Sequence, residues 1–191
     1  MCKNTDTYHK LITAAATCFA EKGFRATSVR EIATRAGISQ GAMYTYFRSK
    51  DELIEAIVLE EQKTALAAQE APFSGSYFDR LYELVNHCIS EVGYPVTHHL
   101  WLEIMAESAR NPALGQAFIA SDERMRQGIA HLIEKGIASG EFKRDISSSE
   151  TTLFIFSLID GLIARKAINA KFSPHEHAAT LSTLLKRILC I

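Results

Sequence analysis

Apolar residues recur at three- and four-residue spacings along almost the whole 191-residue chain. Between Leu81 and Val92 they occupy positions i, i+3, i+4, i+7, i+8 and i+11. This period places them along one face of an α-helix. The alternating pattern of a half-buried β-strand never persists beyond a few residues. The sequence therefore predicts an all-α fold.

Prolines and glycines divide the periodic segments. Pro72, Pro95, Pro112 and Pro174 each lie where one helical segment ends and another can begin. These boundaries predict about nine helices, at residues 6–22, 28–35, 40–46, 50–70, 77–92, 96–110, 113–138, 147–171 and 175–189. Because no repeat or low-complexity linker interrupts the chain, we expect the fourth helix to join its two halves directly.

The charged residues are distributed unequally along the chain. The formal net charge is −1, which taken alone argues against a nucleic-acid partner. Residues 1–50, however, hold eight basic and three acidic side chains, a formal charge of +5, and the remainder carries −6. A basic N-terminal segment on an acidic body favours a nucleic-acid-binding function for that segment.

Membrane and secreted proteins are disfavoured. The longest apolar stretch, Leu153 to Ala164, contains Asp160 and is shorter than the roughly 18 residues that a membrane span needs. The N-terminus is polar and lacks the apolar core of a signal peptide. The cysteines are far apart in sequence, which favours free thiols in a cytoplasmic protein; they are Cys2, Cys18, Cys88 and Cys190.

Residues 27–47 contain the start and stop signals of two short helices. Ser28 and Glu31 have the spacing of a capping box, in which both side chains bind free backbone N–H groups at a helix start. Gly37 is expected to end that helix, because glycine adopts a positive φ at little cost. Ser39 then supplies an N-cap for the second helix. Two short helices joined by such a turn predict a helix-turn-helix unit.

One face of the second helix is expected to remain exposed above a small core. The predicted core residues are Phe19, Ile32, Ala33, Ala36, Ile38, Met43 and Phe47. On the exposed face, Gln40 can bind base edges in the major groove, and Gly41 permits close approach to the bases. The remaining candidates for contacts with phosphates, or with a thymine methyl group for the threonine, are Tyr44, Thr45, Tyr46 and Lys50. Part of the Tyr44 ring is expected to pack against the protein.

Residues 8–54 resemble the DNA-binding domain of the TetR family of bacterial one-component regulators. The residues that match the family pattern are Leu11–Gly23, Phe24, Thr27–Val29, Ile32–Ala33, Ala36–Ser39, Gly41, Tyr44, Tyr46–Phe47, Ser49–Lys50 and Leu53–Ile54. The resemblance implies phosphate contacts from Thr27, Ser39, Tyr44, Tyr46 and Lys50, and base contacts from Gln40, Gly41 and Thr45. Thr45 departs from the family, since many members carry a longer basic or aromatic residue there.

The resemblance also implies the organisation of the whole protein. Residues 1–50 would form the helix-turn-helix DNA-binding domain, and residues 51–191 the effector-binding and dimerisation domain. The expected function is that of a transcriptional repressor released from its operator by a small hydrophobic or amphipathic effector. The expected partners are double-stranded operator DNA, the effector and a second copy of the chain in a homodimer. No membrane partner, cofactor, metal or catalytic residue is predicted.

In the family, the middle helices enclose the effector pocket. Here the candidate lining residues are Tyr82, Trp101, Met105, Phe118 and Met125. The candidate polar groups are His98, Glu103, Glu107 and Asp122. Glu103 and Glu107 share a helix face, and a carboxylate in the pocket would favour a cationic amphipathic effector. The alternative is a solvated acidic face with Glu107 paired to Arg110.

The last two helices carry extensive apolar surface for a body of this size. A four-helix dimer interface is predicted to contain Phe154, Leu158, Gly161, Leu162, Leu181, Leu185 and Ile188. The alternative is that both apolar stripes face the protein's own core. The rival functional hypothesis is an all-helical small-molecule-binding protein or enzyme without DNA function, although the common catalytic motifs are absent from the sequence.

Overall fold

The computed structural model describes residues 2–190, and it describes the side chains of residues 5–190. This part of the chain contains nine α-helices: α1 (Cys2–Lys22), α2 (Val29–Arg35), α3 (Gln40–Met43), α4 (Lys50–Glu70), α5 (Tyr77–Ser90), α6 (His98–Ser108), α7 (Pro112–Ser139), α8 (Ser148–Ile168) and α9 (Ala178–Leu189). A short 3-10 helix, Pro174–His177, precedes α9. The only strand-like pairing within residues 2–190 is an isolated bridge between Phe142 and Cys190. The prediction of an all-α fold is confirmed.

The predicted helix boundaries agree with the structure to within a few residues. The type of helix differs from the prediction at the end of α3. This helix is α-helical only over Gln40–Met43, although it was predicted to reach residue 46. The Thr45 and Tyr46 amides instead donate to the carbonyls three residues earlier, at 3.2 and 2.9 Å. This is the bonding pattern of a 3-10 turn, which often ends a short helix.

The local signals that define the helix-turn-helix are present as predicted. The Glu31 amide donates to Ser28 Oγ at 3.2 Å, and the Ser28 amide donates to Glu31 Oε2 at 2.8 Å, which completes the capping box. Gly37 has a φ of +72° and follows the end of α2. Ser39 Oγ accepts from the Ala42 amide at 3.1 Å and caps α3. These caps fix where each short helix begins.

Packing divides the chain into two compact units. The first contains the residues up to Gln62 together with Gly93–Ser121, and the second contains Lys63–Val92 together with the residues from Asp122 onward. The divisions fall inside α4 and α7, and α6 belongs to the same unit as the helix-turn-helix. The functional boundary after Lys50 is a different division and stays a prediction.

The first unit is built around the apolar faces of α1, α2, α4 and α6. Its fully buried side chains include Leu11, Ile12, Phe19, Ile32, Met43, Leu53, Ile54, Ile57, Leu100 and Ile104. Ala36 and Ile38 of the predicted helix-turn-helix core are only half-buried, and the other five members are buried. The core therefore holds the two short helices against α1 and leaves the outer face of α3 free.

The second unit has its own apolar core. Its buried members include Phe78, Leu81, Ile89, Ile133, Phe142, Ile155, Ile163, Leu185 and Leu189. A Cβ at Gly136 would lie 2.3 Å from the Phe142 ring, so glycine is needed for this packing. At the start of α5, the Glu141 carboxylate accepts from the Tyr77 and Phe78 amides at 2.9 and 2.8 Å.

Two of the sequence expectations concern membrane-spanning helices and disulfide bonds. No helix within residues 2–190 is both long enough and apolar enough to cross a bilayer. Cys18, Cys88 and Cys190 form no disulfide among the described residues, in agreement with the prediction for them. The side chain of Cys2 lies outside the described residues.

Candidate DNA-binding surface and effector site

The start of α3 is exposed to solvent and free of large neighbours. Gln40 and Gly41 are both exposed. A Cβ at Gly41 would meet only Ser39 Oγ, at 4.0 Å. The packing of the protein therefore does not require glycine at this position. The close approach of another molecule is a sufficient physical reason for glycine at position 41.

The other predicted contacts around α3 differ in their exposure. Tyr44 is 48% exposed and Ser39 is exposed, whereas Tyr46 is half-buried. Thr45 is exposed, and its hydroxyl donates to the Ala42 carbonyl at 2.6 Å. The Thr45 hydroxyl thus satisfies the end of α3, and its methyl group and free lone pairs remain available to a partner.

Thr27 lies inside the protein rather than on the proposed DNA surface. Its side chain is 1% exposed. The hydroxyl donates to the carbonyls of Cys18, at 3.1 Å, and Gly23, at 2.9 Å. These hydrogen bonds therefore hold the loop between α1 and α2, residues 23–28, against the end of α1. The phosphate contact that the family resemblance implies for Thr27 stays a prediction.

Lys50 also binds the α1–α2 loop. Its ammonium group donates to the carbonyls of Phe24, at 2.8 Å, and Thr27, at 2.7 Å. It lies 4.8 Å from the centroid of the Phe24 ring. These contacts join the start of α4 to the segment that leads into α2. The ammonium group of Lys50 therefore already donates hydrogen bonds within the protein. The phosphate contact predicted for Lys50 stays a prediction.

Many of the basic side chains in residues 1–50 are paired. Ion pairs link Lys10 to Asp6, Lys22 to Glu31, and Arg35 to Glu21. Hydrogen bonds from Lys22 and Ser28 lower the pKa of Glu31 to about 2.

Two guanidinium groups in this segment remain exposed. Arg30 and Arg48 have no side-chain partner among the described residues. Sequence analysis did not single them out, although their position in the basic segment was a signal. They are the two arginines in the described part of this segment that can bind phosphates without opening an ion pair.

The carboxylates of α6 contact the α1–α2 loop. Glu103 Oε1 accepts from the Phe24 amide at 2.6 Å. A Cβ at Gly23, whose φ is +81°, would lie 3.2 Å from the same oxygen. Position 23 therefore suits glycine for both its conformation and its close approach to α6. This contact joins α6 to the entrance of the helix-turn-helix.

Glu107 lies on the same side of α6 and is buried. It pairs with Arg110 at 2.8 Å, as predicted, and lies 3.9 Å from Arg25 Nε. The expectation of a solvated acidic face is therefore wrong for Glu107, because the α1–α2 loop packs over it. Of the other candidate polar groups, Asp122 pairs with Arg126 at 2.7 Å, and His98 is half-buried.

The predicted effector-binding residues are distributed over both units. Trp101 and Phe118, in the first unit, are in contact with a centroid separation of 5.6 Å. Met105 belongs to the same unit and is half-buried. Tyr82 and Met125 belong to the second unit; the Tyr82 hydroxyl donates to the carbonyl of residue 178 at 3.1 Å, and Met125 is buried. Their roles in effector binding stay predictions.

A buried carboxylic acid that sequence analysis did not single out lies on α4. Glu61 is 6% exposed, and its carboxyl group has no hydrogen-bonding or ionic partner among the described residues. Burial raises its pKa to about 7. The sequence contained a signal, because Glu61 continues the apolar spacing of Leu53, Ile54, Ile57 and Val58 and so lies on the buried face of α4.

The predicted dimer interface contains outward-facing and inward-facing residues. Phe154 is 72% exposed, Ile188 is 50% exposed, and Gly161 is exposed with no neighbour near its Cβ position. Leu181 and Leu185 are buried in their own unit, as the alternative interpretation proposed. Leu158 and Leu162 are half-buried. Further exposed apolar residues on α8 and α9 are Leu153, Ile168 and Leu184.

An exposed recognition face on a capped helix-turn-helix, within an all-helical chain, defines a helix-turn-helix DNA-binding protein. Residues 11–57 match the family described as bacterial regulatory proteins, tetR family. Residues 79–190 match the family described as BetI-type transcriptional repressor, C-terminal. The chain belongs to the TetR family of transcriptional regulators. The predicted family and its DNA-binding regulatory function are confirmed.

Individual relatives agree with this assignment along most of their length. The chain is 30% identical over 161 residues to the transcriptional regulator UidR of Escherichia coli strain K12, covering 81% of this chain and 79% of UidR. The structure of Salmonella enterica GusR has a TM-score of 0.82 and 31% identity, with coverage of 96% and 95%. A transcriptional regulator from Saccharomonospora viridis, solved in complex with choline, has a TM-score of 0.83 and 23% identity, with coverage of 98% and 99%. This last similarity shows the fold.

Proposed function

We propose that the protein is a homodimeric repressor that reads its operator through the exposed face of α3. The observation that carries this proposal is the open surface at Gln40 and Gly41, held in place by the caps of α2 and α3. Gln40, Gly41 and Thr45 would contact bases, and phosphates would be bound by Ser39, Tyr44 and Tyr46. Arg30 and Arg48 supply unpaired positive charge for further phosphate contacts.

The proposed dimer forms through the outward-facing apolar residues of α8 and α9. Phe154 and Ile188 leave large apolar surfaces in contact with water in one copy of the chain. Gly161 is exposed on α8 and has no neighbour near its Cβ position, so a partner helix could approach closely there. A dimer would place two copies of α3 in successive major grooves, which a single helix-turn-helix cannot reach.

The proposed route from effector to DNA runs through α6. This helix carries Trp101, a candidate effector-binding residue, and Glu103, which accepts from the Phe24 amide of the α1–α2 loop. Lys50 links the same loop to α4. An effector that prefers one position of α6 would therefore also favour one position of the helix-turn-helix, and would shift the population between DNA-binding and released forms.

The experiment that tests this proposal is a fluorescence anisotropy titration of the full-length protein with DNA from upstream of its own gene. Gln40→Ala should weaken specific binding about tenfold or more, because a good base contact is worth about 1–3 kcal/mol. Gln116→Ala changes an exposed glutamine on α7 and serves as the matched control. Specific binding that is equally strong in both variants and in the unchanged protein would contradict the proposed role of α3.

The same titration tests the electrostatic part of the proposal. Binding should weaken as salt is raised, because phosphate contacts release counterions from the DNA. A protein that acts on operator DNA works in the bacterial cytoplasm, and we propose this location. We propose no catalytic activity, since regulation by this route requires only the binding of DNA and effector.

A further inference from the structure

The C-terminal end of α9 is bound by one residue from another part of the second unit. The last four carbonyl groups of an α-helix have no partner within the helix. In α9, the first of these four, that of Lys186, accepts from the amide four residues later at 2.8 Å. The Lys143 amide donates to the Leu189 carbonyl at 2.8 Å. The Lys143 ammonium group donates to the carbonyls of Arg187 and Ile188, at 2.6 and 3.5 Å. Lys143 therefore binds three of the four carbonyls.

The backbone beside Lys143 is itself fixed in place. Lys143 belongs to the segment that connects α7 and α8, residues 140–147. The amides of Glu141 and Phe142 both donate to the Gly136 carbonyl at 3.0 Å, which ties the segment to the end of α7. Phe142 is fully buried, and the Glu141 carboxylate binds the first amides of α5. The segment thus presents Lys143 to α9 from a rigid position.

Charge favours the same arrangement. The C-terminal end of a helix carries a partial negative charge, which a cation stabilises. α9 has two basic residues in its own last turn, Lys186 and Arg187. The Lys186 ammonium group lies 5.1 Å from the centroid of the Phe78 ring on α5. Lys143 is the residue whose ammonium group binds the carbonyls of that turn.

The turn that Lys143 binds carries part of the exposed apolar face of α9. Ile188 is 50% exposed, and Leu184, one turn earlier, is 48% exposed. Leu185 and Leu189 are buried on the opposite side of the helix. A last turn whose carbonyls lack partners opens readily. Opening of this turn would move the Ile188 side chain away from the exposed face.

We propose that Lys143 is a positioning residue for dimerisation, which keeps the last turn of α9 helical so that Ile188 faces a second copy of the chain. It acts through the backbone of α9, from a segment that the sequence did not single out. This inference rests on the proposed dimer of α8 and α9, and it names a residue on which the affinity of that dimer depends.

The test measures the dimer dissociation constant of the full-length protein by sedimentation equilibrium. Lys143→Met has a side chain of similar length without the donor, and it should raise this constant about tenfold. If only about one third of each copy keeps the last turn helical, the fraction enters twice, once for each copy, and gives a change of this size. Lys143→Arg keeps a cationic donor and should restore the constant to within about threefold of the unchanged protein.

Two control variants separate this effect from a general loss of stability. Lys135→Met makes the same substitution at an exposed position of α7 and should leave the dissociation constant unchanged. Glu141→Met removes a helix cap two residues from Lys143, but the cap belongs to α5. It should lower the free energy of unfolding in urea and leave the dimer dissociation constant within about twofold. Circular dichroism checks that each variant is folded.

The result that would overturn the inference is a folded Lys143→Met protein with an unchanged dimer dissociation constant. An equal rise of that constant in Lys143→Met and Glu141→Met would overturn it as well, because the effect would then follow stability rather than the end of α9.

Hydrogen exchange provides a measurement that needs no variant. In the unchanged protein diluted below its dimer dissociation constant, the amides of residues 186–190 should exchange slowly, because Lys143 binds the last turn of α9 within one copy. Rapid exchange there would also overturn the inference. An unchanged protein that remains monomeric at every concentration would instead contradict the proposed dimer.

Discussion

Replacement of Glu61 by glutamine should stabilise the protein at neutral and alkaline pH. Burial raises the pKa of this carboxyl group from 4.5 to about 7 in the folded protein. The folded state therefore holds the proton more tightly than the unfolded state does. The stabilisation that comes from this tighter proton binding is fully present below about pH 4.5 and is lost as the pH rises through 7. A pKa difference of this size corresponds to roughly 3 kcal/mol at pH values above 7.

Glutamine has nearly the same shape as glutamic acid but does not ionise, so the variant avoids this loss. Its free energy of unfolding should exceed that of the unchanged protein by up to roughly 3 kcal/mol near pH 8, and the difference should shrink towards pH 5. Urea unfolding at several pH values and one fixed protein concentration measures this difference. Glu70→Gln, at an exposed position of α4, is the control and should follow the unchanged protein.

The shape of the two stability curves decides the outcome. A gap that opens with rising pH supports a buried Glu61 that must ionise without a partner. Parallel curves for the unchanged protein and Glu61→Gln would refute the reasoning, because they would mean that the proton affinity of Glu61 is the same in both states.

The proposed coupling and dimer interface give two further predictions. Glu103→Gln replaces the carboxylate that accepts from the Phe24 amide. We expect operator affinity to change at least about fivefold while helix content is kept, since a hydrogen bond to a charged group is worth about 1.5–3 kcal/mol. Anisotropy measures the operator affinity and circular dichroism the helix content, and an unchanged affinity would exclude this contact as the link between α6 and the helix-turn-helix. Phe154→Lys should convert dimers to monomers in sedimentation velocity runs, because Phe154 is 72% exposed in one copy of the chain and a lysine at an apolar interface leaves an unpaired charge. Ile119→Lys, at another exposed apolar position, is the control, and loss of the dimer in both variants would argue against a specific α8 interface.

The helix-turn-helix was the most predictable part of the structure because its signals are local. The capping box of Ser28 and Glu31 and the positive φ of Gly37 depend on residues only a few positions apart. Glu61 was predictable in principle, since the helical period places it on the buried face of α4. The engagement of Lys50 by the α1–α2 loop was not, because it depends on carbonyl groups more than twenty residues earlier in the chain. A lysine that binds phosphate and one that closes a loop have the same sequence signature.

Pairing within the protein also changes the meaning of the charge of residues 1–50. The +5 counted from the sequence includes ion-paired lysines and arginines, and it includes Lys50, whose ammonium group binds backbone carbonyls. Arg30 and Arg48 are the arginines whose groups have no partner in the described part of this segment. Two unpaired guanidinium groups neutralise few phosphates, so one copy of the chain has a small electrostatic contribution to affinity unless DNA opens its exposed ion pairs. A second copy would double the available charge and add a second set of the proposed base contacts, so the charge distribution and the exposed apolar residues of α8 and α9 both support the proposed dimer.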